Sequence, residues 1–133
     1  MKKIADSGFI IAALGARDQA HAWARDLLER ESPPWLVCEA VVAEIAAILG
    51  TPVPVLEMLE AGDLELAFNL DAERSSVLRL ARKYEDQGMD LADACVVQMS
   101  ELIKGAVVYT VDKKDFTVYR RQGNRAISCV FPE

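Results

Sequence analysis

Short apolar runs alternate with helix-length segments from one end of this chain to the other, and that alternation constrains its architecture more than any other feature. Lys2 to Ala5 reads as a brief strand ending at Asp6. Trp35-Leu36-Val37, the alternating run Leu64 to Phe68, Val107-Val108-Tyr109-Thr110 and Ala126 to Val130 read as four more. Helical segments lie between them. Ser7 to Leu14 is closed by Gly15, and a helix capped by Asp18 runs to about Arg30 with Ala22, Trp23, Leu27 and Leu28 inward. Glu39 to Leu49 ends at Gly50, and Val55 to Glu60 breaks at Gly62. A helix capped by Asp71 runs to about Asp86 with Val77, Leu78, Leu80, Ala81 and Tyr84 inward, and Asp90 to Lys104 forms the last. The pattern predicts an α/β domain with a mainly parallel sheet and helices on both faces. No repeat, low-complexity tract or linker divides residues 1–133, so one domain is expected.

In such sheets ligands bind beyond the carboxyl ends of the strands, where strand order reverses. Asp6 directly follows the first strand, and Asp112 follows the fourth. Two further acids stand out. Glu44 falls three residues after Val41 and four before Ile48, on an apolar stripe of helical spacing. It is either a carboxylate on a buried face, which costs several kcal/mol unless paired or metal-bound, or the solvent edge of a rotated helix. Asp93 lies among small and apolar residues, yet it is also three residues after Asp90, a capping-box-like spacing. Asp6 can equally cap the helix starting at Ser7, and Asp112 and Asp115 can be turn residues. Each acid alone is weak evidence; the set is stronger, because two occupy strand ends expected side by side and two more occupy inner helix faces.

Clustered carboxylates repel and raise one another's pKa unless a cation intervenes. Oxygen ligands without histidine or cysteine select Mg²⁺ or Mn²⁺, the usual apparatus of phosphodiester chemistry, lowering the pKa of a bound water and neutralising transition-state charge. Other chemistries find little support. His21 is the single histidine, and no Gly-x-Ser-x-Gly accompanies it. Cys38, Cys95 and Cys129 form no Cys-x-x-Cys pair, so neither a disulfide framework nor a thiolate zinc site is expected. The net charge of −6 opposes broad electrostatic binding of nucleic acid. Between Lys104 and Arg125, however, six bases stand against two acids, so Lys113, Lys114, Arg120, Arg121 and Arg125 are either a solvated face or contacts to backbone phosphates. No apolar run approaches the roughly 20 residues of a membrane span, and no targeting signal is visible, which makes the cytoplasm the expected location.

The blocks Ile4-Ala5-Asp6-Ser7, Glu39 to Glu44, Leu91-Ala92-Asp93-Ala94 and Tyr109-Thr110-Val111-Asp112-Lys113-Lys114-Asp115-Phe116 together resemble the PIN-domain family, over essentially the whole chain. The resemblance implies a central five-stranded parallel sheet and a Mg²⁺- or Mn²⁺-dependent endoribonuclease that hydrolyses RNA to 5′-phosphate and 3′-hydroxyl ends. It implies a metal site of Asp6, Glu44 and Asp93, with Asp112 as fourth acid, Ser7 and Thr110 in support and Asp115 further out. Gly8 departs slightly from the hydroxyl or small residues common after the first acid. The size matches VapC-type toxins, which pair with a separate antitoxin protein and form homodimers. A PIN fold that binds RNA or protein without cutting is the alternative. A receiver-like phosphoacceptor domain would want paired acids near the first strand, where Asp6 stands alone.

Overall fold

A computed structural model describes all 133 residues. Seven strands and seven α-helices follow in the order β1 (Lys3–Ala5), α1 (Ser7–Leu14), α2 (His21–Arg30), β2 (Trp35–Val37), α3 (Glu39–Leu49), α4 (Val53–Ala61), β3 (Leu64–Leu66), α5 (Leu70–Lys83), α6 (Leu91–Leu102), β4 (Val107–Tyr109), α7 (Lys113–Phe116), β5 (Arg120–Arg121), β6 (Arg125–Ala126) and β7 (Cys129–Val130). Five strands form one parallel sheet in the order β3-β2-β1-β4-β7, as expected; β5 and β6 pair antiparallel beside it. β1 and β2 are buried at every residue, as strands covered on both faces must be.

The order of the strands places the site. The chain moves from β1 outward through β2 to β3, then returns to the opposite side of β1 as β4. Strand order therefore reverses between β1 and β4, whose residues pair Lys3 with Val107, Ile4 with Val108 and Ala5 with Tyr109. The next residues on each strand, Asp6 and Thr110, leave the sheet side by side, and the Asp6 amide still donates to the Tyr109 carbonyl at 3.0 Å.

One cluster of 31 buried residues holds this arrangement rigid. Phe9 of α1 lies 4.7 Å from Trp35 and 5.7 Å from Tyr109, centroid to centroid, so the helix that follows Asp6 is clamped to β2 and β4. Each such buried aromatic contributes about 2–3 kcal/mol by burial alone. A second aromatic group, Tyr84, Phe116 and Tyr119, fastens α7 and the start of β5 to the end of α5. Gly50 and Gly62 end α3 and α4 with φ of 77° and 82°, the left-handed C-cap their positions predict.

Several local expectations are corrected. Asp18 does not cap α2: its carboxylate accepts from the Ala20 amide at 2.9 Å in a turn, and the helix starts at His21. Its buried residues are Ala24 and Leu27, while Ala22 is exposed. α5 is capped by Asn69, which accepts from the Ala72 amide, rather than by Asp71, and Leu78 faces out. In α3 the buried residues are Val41 and Ile45, and Ile48 is 65% exposed. The helix is rotated from the stripe inferred through Ile48, which leaves Glu44 half-buried at the edge of the packed face. The run Ala126 to Val130 splits, because Ala126 pairs in the small hairpin while Cys129 and Val130 join the main sheet. No helix is long and apolar enough to cross a membrane, and all three cysteines are free thiols.

Candidate active site

Asp6 is where the fold concentrates its unfavourable electrostatics. Its position just past β1 makes it the N-cap of α1, and Oδ1 accepts from the Ser7 amide at 2.9 Å. Oδ2 accepts from the Thr110 hydroxyl at 2.7 Å, across the β1–β4 junction. The side chain is 5% exposed. Burial pushes its carboxyl up to about 6; the Thr110 and Ser7 bonds oppose that rise, and the charges of Glu44 and Asp112 add to it.

Thr110 joins two acids. It is fully buried, it donates to Asp6, and its Oγ1 accepts from the Asp112 amide at 3.0 Å. Asp112 then caps α7, with Oδ1 accepting from the Asp115 amide at 3.0 Å. The turn role open to these two acids is thus real, and it leaves them near the others. Burial and the neighbouring Asp112 raise the Asp115 carboxyl.

Glu44 and Asp93 come in from helices. Despite the rotation of α3, Glu44 reaches Ser7, whose hydroxyl donates to Oε1. Asp93 occupies the third position of α6, and its amide donates to the Asp90 carboxylate at 2.8 Å, so the capping geometry is present as well. Its side chain, however, turns elsewhere: Oδ2 accepts from the Tyr119 hydroxyl at 2.9 Å. Burial pushes the Asp93 carboxyl up to about 7; Tyr119 opposes this, and Asp90, Asp6 and Asp112 add to it. The same surroundings raise the Tyr119 phenol, burial first and Asp93 next.

Acids from the two ends and the middle of the chain therefore share one electrostatic field: Asp6 feels Glu44 and Asp112, and Asp93 feels Asp6 and Asp112. No lysine, arginine or histidine lies within ion-pair distance of Asp6 or Asp93. No three of these groups close around a point as a ready cage. The set is an open surface of hard carboxylate oxygens, the donor type that suits Mg²⁺ or Mn²⁺ rather than softer metals.

The basic candidates divide. Lys113 and Lys114 are exposed on α7, between the two acids Asp112 and Asp115. Arg121 and Arg125 both bind Glu101, each at 3.2 Å, so their charge is already matched in part. Arg120 donates through one nitrogen to the carbonyls of Thr117 and Tyr119. Sequence reasoning passed over Tyr119, although a buried tyrosine hydroxyl needs a hydrogen-bond partner and so points to one. Gly8 also acquires a reason: a Cβ there would meet Val111 Cγ2 at 2.6 Å, so glycine lets α1 approach the Thr110–Asp112 turn.

The chain is thus an α/β protein that gathers carboxylates at the switch point of its parallel sheet. The model of one family, described as PIN domain, matches residues 3–121, and the chain belongs to that family. It is also similar to Ribonuclease VapC26 of Mycobacterium tuberculosis (strain ATCC 25618 / H37Rv), 29% identical over 126 residues that span 90% of this chain and 93% of the relative.

Proposed function

We propose that this chain is a Mg²⁺- or Mn²⁺-dependent endoribonuclease, with Asp6, Glu44, Asp93 and Asp112 as its metal-holding and catalytic acids, and that it is the toxin of a toxin–antitoxin pair. The observation that carries the reading is the pair of carboxyls at Asp6 and Asp93, pushed up to about 6 and 7 beside other acids, with no lysine, arginine or histidine within ion-pair distance of either. Both are poised near neutrality, where such acids concentrate at functional sites. The relative's printed name, a ribonuclease, agrees with that chemistry.

A bound divalent ion supplies a water of lowered pKa and positive charge against the phosphoryl oxygens. The protein's own part is positioning. Thr110 and the Ser7 amide hold the Asp6 carboxylate by both oxygens, Ser7 holds Glu44, and Tyr119 holds Asp93. Lys113 and Lys114 stand beside Asp112 to meet backbone phosphates. The reading extends to a single domain over residues 1–133, a cytoplasmic location, a homodimer and a separate antitoxin protein.

Incubating the protein with single-stranded RNA tests this directly. Cleavage in Mg²⁺ or Mn²⁺, abolished by EDTA, with 5′-phosphate ends, is expected. Mn²⁺ should also raise the melting temperature, because it binds the folded state only; no cleavage and no thermal shift would leave a non-catalytic PIN fold.

Tyr119→Phe tests the missed residue. Removing the hydroxyl takes away a bond that holds the Asp93 carboxyl down, so that group titrates above about 7. The acid limb of the rate profile is expected to move to higher pH, with activity at pH 7 reduced about 10-fold. An unchanged profile would show that Tyr119 only packs.

A further inference from the structure

A second charged feature lies away from the acids. α5, α6 and the segment through β5 enclose a recess of about 40 Å³, lined in part by Ser76, Arg79, Gln98, Glu101, Arg120 and Arg121. A single water needs roughly 10–15 Å³ of cavity, so the recess has room for a small oxyanion. The lining includes three arginines and one glutamate, in a protein whose overall charge is −6.

The pairing of those groups matters more than their number. Glu101 is engaged by Arg121 and, from outside the recess, by Arg125. Neither Arg79 nor Arg120 has a carboxylate within ion-pair distance. Both are nevertheless held in place. Arg79 Nη2 donates to Ser76 Oγ at 3.1 Å, and Arg120 Nη1 donates to the carbonyls of Thr117 at 2.6 Å and Tyr119 at 3.1 Å. Guanidinium forks with unclaimed N–H groups match the planar, bidentate geometry of an oxyanion such as phosphate.

Position ties the recess to the acids. α6 carries Asp93 near its start and Gln98 and Glu101 five and eight residues further on, roughly 8–12 Å along the axis. Arg120 directly follows Tyr119, which holds Asp93. We infer that this recess is an anion site that takes a phosphate of the bound RNA strand, about two to four nucleotides from the reacting one on a stacked strand. The RNA half of this inference rests on the ribonuclease reading; the phosphate half does not.

Two measurements separate those halves. In metal-free protein, titration with inorganic phosphate is followed at the arginine Nε–H resonances. Saturable shifts confined to Arg79 and Arg120, with the Arg120 shift lost in Arg79→Gln, are expected. No saturable shift, or equal shifts at surface arginines such as Arg17, would overturn the site. Binding of a 12-nucleotide single-stranded RNA is then followed by fluorescence anisotropy in EDTA. The double variant Arg79→Gln/Arg120→Gln should bind about 10-fold more weakly and flatten the log–log salt dependence by about 0.7–1.4, while Arg17→Gln changes neither. Phosphate shifts with RNA binding untouched would make this a free-phosphate site and overturn its role on the strand. Phosphate shifts in a protein that binds no RNA at all would keep the anion site and sink the ribonuclease reading.

Discussion

Asp6→Asn is expected to lose RNA cleavage by at least about 10²-fold and yet to melt higher than the natural chain in metal-free buffer at pH 7.5. The two effects have one cause. The unfolded Asp6 carboxyl titrates near 3.8 and the folded one near 6. Below both values the group is neutral in both states and costs nothing. Above both it is charged, and burial makes the folded state bear that charge. Stability is therefore lost as pH rises from about 4 to about 6, then stays level. The difference corresponds to about 3 kcal/mol at 1.36 kcal/mol per pKa unit. Asparagine removes the charge. Its carbonyl oxygen still accepts from the Ser7 amide, but its nitrogen cannot accept the Thr110 proton, which costs about 1 kcal/mol. The net gain is about 2 kcal/mol, or roughly 5–8 °C in melting temperature. Below pH 4 the charge term is gone and only the lost Thr110 bond remains, so the variant should melt slightly lower than the natural chain there; at pH 7.5 saturating Mn²⁺ should narrow the gain, because only the natural chain gains from the ion. Scanning calorimetry at two pH values decides the matter: a variant that melts lower at pH 7.5 would show that Asp6 is a stabilising cap and not a destabilised site.

That opposition explains what the sequence could disclose. The strands β1, β2 and β4 are legible because each is a short, mainly apolar run bounded by an acid, a Pro-Pro break or a helix-ending glycine, and the switch-point rule then puts Asp6 beside the Thr110–Asp112 turn. Glu44 was suspected through Ile48, which proves to be 65% exposed. The acid still stands next to Ser7, whose hydroxyl reaches it, and no helical period encodes a contact between residues 37 apart. Asp93 stands three residues after the N-cap Asp90 and donates its amide to it, as that spacing predicts, while its carboxylate is turned by Tyr119, 26 residues away. The basic stretch was counted by charge, and charge counting is blind to Glu101, which ties down Arg121 and Arg125 and leaves Arg79 and Arg120 free of carboxylates. Periodicity reports which face of an element is wet or dry; it does not report which partner the other element brings. The splitting of Ala126 to Val130 has the same origin, since alternation marks a strand without saying which sheet it joins.

Thr110→Val should separate a structural threonine from one that builds the site. Valine keeps the shape of a residue that is fully buried, so packing is nearly conserved. Two hydrogen bonds disappear: the donor to Asp6 Oδ2 and the acceptor for the Asp112 amide. The first is assisted by charge and is worth about 2 kcal/mol at neutral pH, and the orphaned amide adds about 1 kcal/mol. The melting temperature at pH 7.5 should therefore fall by roughly 10 °C. The loss should shrink below pH 4, where Asp6 is protonated in both states and the charge-assisted part is gone. Because Thr110 holds the Asp6 carboxyl down, its removal moves that group above about 6, and the acid limb of cleavage shifts to higher pH with activity at pH 7 reduced about 10- to 100-fold. Thr110→Ser keeps the hydroxyl and gives up only a methyl group, so it should restore most of the activity and the original profile while remaining about 1 kcal/mol less stable. If valine instead costs stability equally at all pH values and cleavage is untouched, the Thr110 hydroxyl serves the core alone, and the link between the two strand ends is not what readies Asp6.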